Sequence, residues 1–498
     1  VTVCLVRSRN FHSGKRILES TMANSAVLFA TALLIVQPLF TSAMTTSKIP
    51  ATSSKKISPM LKGVVFDMDD TLVRSNLDFV AMYRKVFEKD PADPRNFDIL
   101  REIESIETAE GRAKAHEIVD EVEEVGRQQM TILPGCIELL TWLSAHKIPT
   151  ALVTRNTRKT TIVLSEKLRS IQNEAQRLGH GDLELSFERI IARDDKAVDD
   201  EDTVIPPKPD PAAMKILASE SFGVELPTSE ILMVGDSAAN DVGFGMNAGV
   251  ATALLVDNAT GTSDSDPAPD ICVEHLTELP RKLWLTFAID GSLGNTNTEE
   301  DAHGVPPPTP QSELCKAVVG GDVSAVRIIL ESLSLDEITK ADEENGNTSL
   351  IWAAEIGNVE LTSLLLETVV SKSKKSREEN EEEDTTLIVS FANHRGYLGA
   401  TALNRAARRG HTDVLKLLLT DEEKTNGFLG QGFDFNPDLP NHKLQHPLHF
   451  AAFKKKPEAL KYLLQCGANP WVVDRKGRRP VEDTSCERCK SILKEAMQ

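Results

Sequence analysis

Short, fully apolar runs separated by polar stretches of helical spacing organise the first half of the chain, and a recurring pattern of small and branched apolar residues organises the second. Val64-Val65-Phe66, Ala151-Leu152-Val153 and Ile231-Leu232-Met233-Val234 are uniformly apolar and short, which predicts buried strands. Each run leads into a polar residue able to do chemistry: Asp67, Thr154 and, after Gly235, Asp236. Ligands of open α/β sheets gather outside the carboxyl ends of their strands, so these residues are expected along one sheet edge. Between the first two runs the chain is mostly polar with helical spacing, as in Glu102 to Gln129, and reads as a small helical cap at about 73–130 over that edge.

In the second half, Thr348-Ser349-Leu350-Ile351-Trp352-Ala353-Ala354, Thr401-Ala402-Leu403-Asn404-Arg405-Ala406-Ala407 and His446-Pro447-Leu448-His449-Phe450-Ala451-Ala452 align on one another. Each leads to an amphipathic second helix, Leu361 to Leu366, Val414 to Leu419 and Leu460 to Leu464. This resembles the ankyrin repeat, a turn plus two helices with a period of about 33 residues. Leu314, Leu350, Leu403, Leu448 and Val481 mark the register, for about four units and a partial C-terminal cap. The long intervals after Leu350 and Leu403 are expected to be loops. One carries the charge blocks Lys372 to Lys375 and Glu378 to Asp384, and the other is the Gly- and Asn-rich Thr420 to Asn441. A stacked array of this kind implies a protein partner on its concave face.

The stretch Phe66-Asp67-Met68-Asp69-Asp70-Thr71-Leu72 sets two carboxylates just past a strand. One carboxylate can attack phosphorus, and another two positions on can protonate the leaving oxygen and later activate water. Thr154 and Asn156 follow the second strand. Lys208 stands in Lys208-Pro209-Asp210-Pro211, where Asp210 is expected to cap a helix and Pro211 to begin it. The third strand leads to Gly235-Asp236-Ser237-Ala238-Ala239-Asn240-Asp241, a cluster of hard oxygen donors suited to Mg²⁺. Together these motifs resemble the haloacid dehalogenase-like (HAD) superfamily, over about residues 61–285. The resemblance implies an α/β, Rossmann-like core with a small helical cap, followed here by an all-α ankyrin solenoid.

By that resemblance Asp67 is the nucleophile, Asp69 the acid and base, and Thr154, Asn156 and Lys208 bind the phosphoryl group. Asp67, the backbone carbonyl of Asp69, Asp236 and Asp241 would hold Mg²⁺. Many relatives place the last acid four residues after the Gly-Asp aspartate, where this chain has Asn240, so Asn240 and Asp241 both stand open for that role. Asp70 is a second departure, at a position where glycine is common. An acid at position 69 distinguishes phosphatases and phosphomutases from dehalogenase relatives. The expected activity is hydrolysis of a small phosphomonoester through an aspartyl-phosphate, because a cap closes the pocket against water and large substrates. The alternatives are a phosphomutase, or an ankyrin adaptor with a catalytically weak HAD domain. The stretch Asn76 to Arg84, with Ile132-Leu133-Pro134-Gly135, is similar to a plant and algal subgroup of HAD-like hydrolases.

Composition adjusts this picture in two places. A net charge of −19 argues against nucleic acid as the main partner. Seven scattered cysteines, with one lone Cys486-Glu487-Arg488-Cys489 motif, fit reduced thiols better than a disulfide framework. The organisation read from the sequence is a targeting segment at 1–58, a hydrolase domain at 59–290, a Pro- and Gly-rich linker at 291–311 and the array at 312–498. Ser25 to Phe40 reads as a signal-peptide core, too short for a stable membrane span in the mature chain, and the acid-free Met44 to Ser58 resembles a transit segment. A secretory or plastid route is expected from this, with a cytoplasmic location as the alternative.

Overall fold

The structure is a computed structural model that describes residues 58–74, 79–92, 99–177, 183–197, 200–256, 267–289, 308–376, 381–420 and 433–498. The expected signal-like segment, most of the linker and the first part of the loop after Thr420 lie outside the described residues.

In chain order the first half runs β1 (Gly63–Phe66), β2 (Val73–Arg74), α1 (Phe79–Phe87), α2 (Ile99–Glu104), α3 (Ala109–Gln129), β3 (Thr131–Ile132), α4 (Cys136–Ala145), β4 (Thr150–Val153) and α5 (Arg158–Arg177). It continues with β5 (Arg189–Ile191), β6 (Lys196–Ala197), β7 (Asp200–Val204), α6 (Ala212–Glu220), β8 (Ile231–Gly235), α7 (Gly243–Ala248), β9 (Ala251–Leu255), β10 (Ile271–Val273) and α8 (Leu279–Thr286). Among the described residues, six strands form a parallel sheet in the order β10-β9-β8-β1-β4-β5. The apolar runs are buried on both faces: Val64 and Phe66 pack with Trp142 and Leu152, whereas Val65 faces Ala213 and Phe244. Strand periodicity therefore feeds two cores from one run, which is why the sequence shows no polar alternation there. Gly63 is held to glycine by Phe222, whose ring carbons would lie 2.5 Å from a Cβ.

The antiparallel pair β2 and β3 forms the stem of the cap, which has its own small core of Met82, Tyr83, Ile99, Ile103, Ala115 and Val119. The polar stretch from Glu102 is not one helix. Thr108 ends the break and caps α3, accepting a hydrogen bond from Gly111 N at 3.1 Å. The cap is tied to the core through buried charge. Glu123 on α3 accepts from Arg193 Nη1 at 2.9 Å, Arg127 lies 3.7 Å from Glu123, and Arg127 also donates to Thr160 on α5 at 3.3 Å.

The second half comprises α9 (Glu313–Gly320), α10 (Val323–Ser332), α11 (Leu335–Thr339), α12 (Ser349–Ile356), α13 (Val359–Ser376), α14 (Glu381–Ala392), α15 (Ala402–Arg409), α16 (Thr412–Leu419), α17 (Pro447–Phe453), α18 (Pro457–Gln465) and α19 (Glu487–Ala496). First helices α9, α12, α15 and α17 stack in one layer, and α10, α13, α16 and α18 in the other. Thr348 and Thr401 cap their helices, and Gly321, Gly357 and Gly410 end them at φ between 76° and 82°, as helix C-caps favour glycine. His446 and His449 serve the array itself: His449 Nε2 lies 2.8 Å from the Arg478 carbonyl, and its Nδ1 accepts from His446 N. The interval after Leu350 is not a loop. α13 continues through Ser376 and α14 follows, because Lys and Glu are good helix formers even in charge blocks. The array also begins before residue 312, since Gln311 N and Ser312 N both donate to Asp342 and Asn345 Nδ2 donates to the Thr309 carbonyl.

The array docks directly on the α/β core. Trp142 on α4 donates from Nε1 to the Arg475 carbonyl at 3.2 Å, and His275 stacks on Trp471 with ring centroids 4.0 Å apart. Val473 is buried within the α/β core cluster. Asn469 donates to Glu138, and Arg177 pairs with Asp434 at 2.8 Å. Burying a valine side chain contributes about 1.5–3 kcal/mol, so this contact is more than a tethered encounter. Among the described residues, no helix is long and apolar enough to cross a membrane.

Candidate active site

The ends of β1, β4 and β8 deliver Asp67, Thr154 and Asp236 to one edge, as the apolar runs predict. Asp67 is buried, and its backbone N–H donates to the Val234 carbonyl at 2.9 Å, which fixes it against the neighbouring strand. Lys208 is buried and reaches in from the loop before α6, with Nζ 2.5 Å from Asp67 Oδ1 and 2.6 Å from Asp241 Oδ1. Its loop is held by Asn247, whose Nδ2 donates to the Pro209 carbonyl. The helix start falls one residue later than the sequence predicts. Pro211 is the cap residue of α6, and Asp210 accepts from Ala212 N at 2.9 Å, because its side chain reaches two residues on.

On the other side, Asn156 Nδ2 bridges Asp69 and Thr154 Oγ1, the latter at 3.2 Å, and Thr154 Oγ1 also accepts from Asn156 N. The Asn156 amide therefore helps to orient the Asp69 carboxylate. Asp70 adopts φ 48°, the left-handed region, which Asp enters more readily than most non-glycine residues. The tight turn that forces this conformation is closed by Asp70 N to the Val73 carbonyl and Leu72 N to the Met68 carbonyl. Arg74 pairs with Asp70 at 3.5 Å and Arg84 with Asp90, so both arginines have local carboxylate partners.

Backbone geometry brings Asp241, and not Asn240, to the acidic cluster. Residues Ala238–Val242 form a π-helical turn, in which Val242 N donates to the Ser237 carbonyl five residues back. The wider turn absorbs the extra residue and carries the Asp241 carboxylate back under the sheet edge. There Asp241 is buried, accepts from Ser237 N at 3.0 Å and receives Lys208. Asn240 instead donates to Ser237 Oγ.

Carboxylate oxygens of Asp67, Asp236 and Asp241 all lie within 4.8 Å of one another. Burial pushes the Asp67 carboxyl up to about 7, against the pull of Lys208. Asp236 is exposed yet flanked by protein, and this partial desolvation, with the charges of Asp67, Asp241 and Asp70, raises it to about 8. Burial also works against the Lys208 charge, but Asp67 and Asp241 outweigh it and raise its pKa. One lysine cannot balance three converging carboxylates, so the donor set fits a hard divalent cation such as Mg²⁺. Among the described residues, no other such cluster of metal-ligating side chains occurs, the Cys486 and Cys489 thiols included.

Sequence reading left out the buried Glu123 and Arg127 and the half-buried Arg193, which join the cap to the loop that carries Asn156; Arg193 N donates to the Asn156 carbonyl at 2.8 Å. An acid and an arginine paired seventy residues apart leave no local signal in one sequence.

A sequence profile of haloacid dehalogenase-like hydrolases matches residues 61–249, and one of ankyrin repeats matches 314–423 and 385–474. A haloacid dehalogenase-like hydrolase domain-containing protein of Arabidopsis thaliana is 31% identical over 240 residues, covering 46% of this chain and 86% of that protein. An uncharacterized hydrolase of Saccharomyces cerevisiae is 28% identical over 222 residues, covering 44% of this chain and 89% of that protein. The target of rapamycin complex 2 subunit AVO2 of the same yeast is 27% identical over 175 residues, covering 34% of this chain and 33% of that protein. With its acidic strand end, buried lysine and carboxylate cluster joined to a stacked helical array, the chain belongs to the haloacid dehalogenase-like hydrolases and carries ankyrin repeats.

Proposed function

We propose that this hydrolase releases phosphate from a small phosphomonoester through an aspartyl-phosphate on Asp67. The observation that carries the reading is the placement of Asp67 against Lys208 Nζ at 2.5 Å, with the Asp69 carboxylate held nearby by Asn156. In the first step Asp67 attacks phosphorus, the bond to the leaving oxygen breaks, and Asp69 gives that oxygen its proton. In the second, Asp69, now a carboxylate, takes a proton from water as the water attacks phosphorus, and Asp67 is released with inorganic phosphate. Lys208 and the Thr154 hydroxyl stabilise the charge on the phosphoryl oxygens, and Asn156 keeps Asp69 aimed at the leaving group. Mg²⁺ held by Asp67, the Asp69 carbonyl and Asp236, with Asp241 supporting, would offset the repulsion between the carboxylates and the phosphate.

The cap over the strand ends favours small substrates, and the array supplies a surface for a protein partner. The test is phosphate release by the full chain over a panel of small phosphomonoesters, with Mg²⁺ or EDTA, beside Asp67→Asn. Metal-dependent release lost in the variant is the expected result. Phosphate moved within a sugar without net release would favour a mutase, and silence across the panel would favour an adaptor role for the whole chain.

A further inference from the structure

Helix α17 ends differently from the other first helices of the array. Where α9, α12 and α15 are followed by Gly321, Gly357 and Gly410, all left-handed, α17 is followed by Lys454 and then Lys455, and Lys455 takes the left-handed turn at φ 56°. A lysine there pays a conformational cost that glycine avoids. Lys456 comes next, and its aliphatic chain lies over Gly410, where a Cβ would meet Lys456 Cδ at 2.7 Å. The basic turn is thereby pinned against the preceding repeat.

That repeat presents Arg408 and Arg409 at the positions equivalent to Phe453 and Lys454, on the adjacent helix of the same layer. Arg409 is answered by Glu355 at 2.5 Å. Among the described residues, no carboxylate pairs with Arg408, Lys454 or Lys455. The positive charge is crowded enough that Arg408 and Arg409 add to burial in depressing Arg405. Phe453, 58% exposed, stands in the middle with Lys454 Nζ 5.0 Å from its ring centroid. Phe453, Lys454 and Lys455 are exposed and Arg408 is half-buried, and the contact with the α/β core is made elsewhere, at Arg475.

We infer that the α15–α17 face of the array, built from Arg408, Phe453, Lys454 and Lys455, binds an acidic protein segment that seats one apolar side chain on Phe453. This rests on reading the array as a protein-binding surface. An exposed aromatic flanked by unanswered cations supplies both the apolar anchor and the charge complementarity of a peptide site. The net charge of −19 disfavours an acidic segment over the chain as a whole, so a local basic patch is where it would land.

The test is fluorescence anisotropy of the full chain with a short labelled peptide of Asp and Glu around one leucine, beside a single-stranded oligonucleotide and phosphatidylserine vesicles. Lys454→Glu and Phe453→Ser are expected to weaken the peptide by about tenfold or more. Lys455→Gly should weaken it severalfold while holding or raising the melting temperature, since glycine suits the left-handed turn. That combination separates lost recognition from lost folding. Phosphate release should be unchanged in all three variants. The inference falls if the peptide fails to bind, if the variants bind it as tightly as the parent, or if the oligonucleotide or vesicle binds more tightly than the peptide. If the parent chain and Lys454→Glu capture the same proteins from a lysate, the inference falls and the array's wider role stands. If neither captures any, that wider role falls with it.

Discussion

Gly235 and Asp241 occupy the same space: a Cβ at Gly235 would lie 2.2 Å from Asp241 Oδ2 and 2.4 Å from its Cβ. The strand must end in glycine so that the π-helical turn can fold Asp241 back against it and on to Lys208. Gly235→Ala is therefore expected to displace Asp241 and release Lys208 from one of its two anchors. Phosphate release should fall by about tenfold or more, with far-ultraviolet circular dichroism unchanged. Retention of full activity would show that Asp241 does not need its position.

Asp69 is held by Asn156, whereas Lys208 reaches Asp67 and Asp241. On the proposed mechanism Asp69→Asn removes the proton donor and should cost about 10²- to 10⁴-fold in kcat, while Asp67→Asn should abolish turnover because no phosphoenzyme can form. Trapping of phosphate on the protein separates the two: Asp69→Asn still accumulates it with a good leaving group, and Asp67→Asn does not.

Asp67 and Asp236 hold their protons up to about 7 and about 8 when no cation balances them. A metal must displace those protons, so apparent Mg²⁺ affinity should rise as pH increases through that range and level off above it. Titration calorimetry between about pH 6 and about pH 8.5, in buffers of different ionisation enthalpy, reads both the affinity and the protons released. Affinity independent of pH across that range would remove these two carboxylates from the site.

The residues that converge at the strand ends were legible because each follows a strand whose apolar run is itself a local signal, as Asp67 follows Val64 to Phe66. Asp241 was legible only as one of two candidates, since its delivery depends on one extra residue in a turn and not on residue type. The ankyrin register was visible in Leu350, Leu403 and Leu448, which are fully buried or nearly so. The helical insertion was not, because Lys372 to Lys375 favours helix and solvent alike and only packing of α14 against α13 and α11 decides between them. Docking of the array was hidden for another reason: Asn469, Trp471, Val473 and Arg475 read as the ordinary end of a repeat, and Trp142 as one more core aromatic.

Glu123 is buried between Arg127 and Arg193, and it is the residue through which the cap grips the loop carrying Asn156. Breaking a buried pair from one side leaves the remaining charges unanswered, at a cost on the order of 3 kcal/mol. Glu123→Gln should therefore lower the melting temperature and open α3 to protease, and it should raise KM more than it lowers kcat. A double-mutant cycle with Arg193→Ala checks the pairing. Additive effects would mean that the two side chains act independently.

Gly477 tests whether the array and the α/β core are one cooperative body. It has φ 68°, and a Cβ there would lie 2.3 Å from Arg281 N and 2.4 Å from the Pro280 carbonyl carbon, backbone atoms at the start of α8 that no rotamer change can clear. Gly477→Ala must then strain the turn or lift it off the core, and lifting it withdraws Val473 from its cluster and Arg475 from the Trp142 indole. The combined strain and lost packing are expected to cost on the order of 1–3 kcal/mol. Calorimetry should show a single unfolding transition in the parent chain and two in the variant, one for the sheet and one for the array. Two transitions already present in the parent would mean that the contact at Trp142 and Val473 is too weak to couple the halves, and that a partner held on the array could not influence the cap through it.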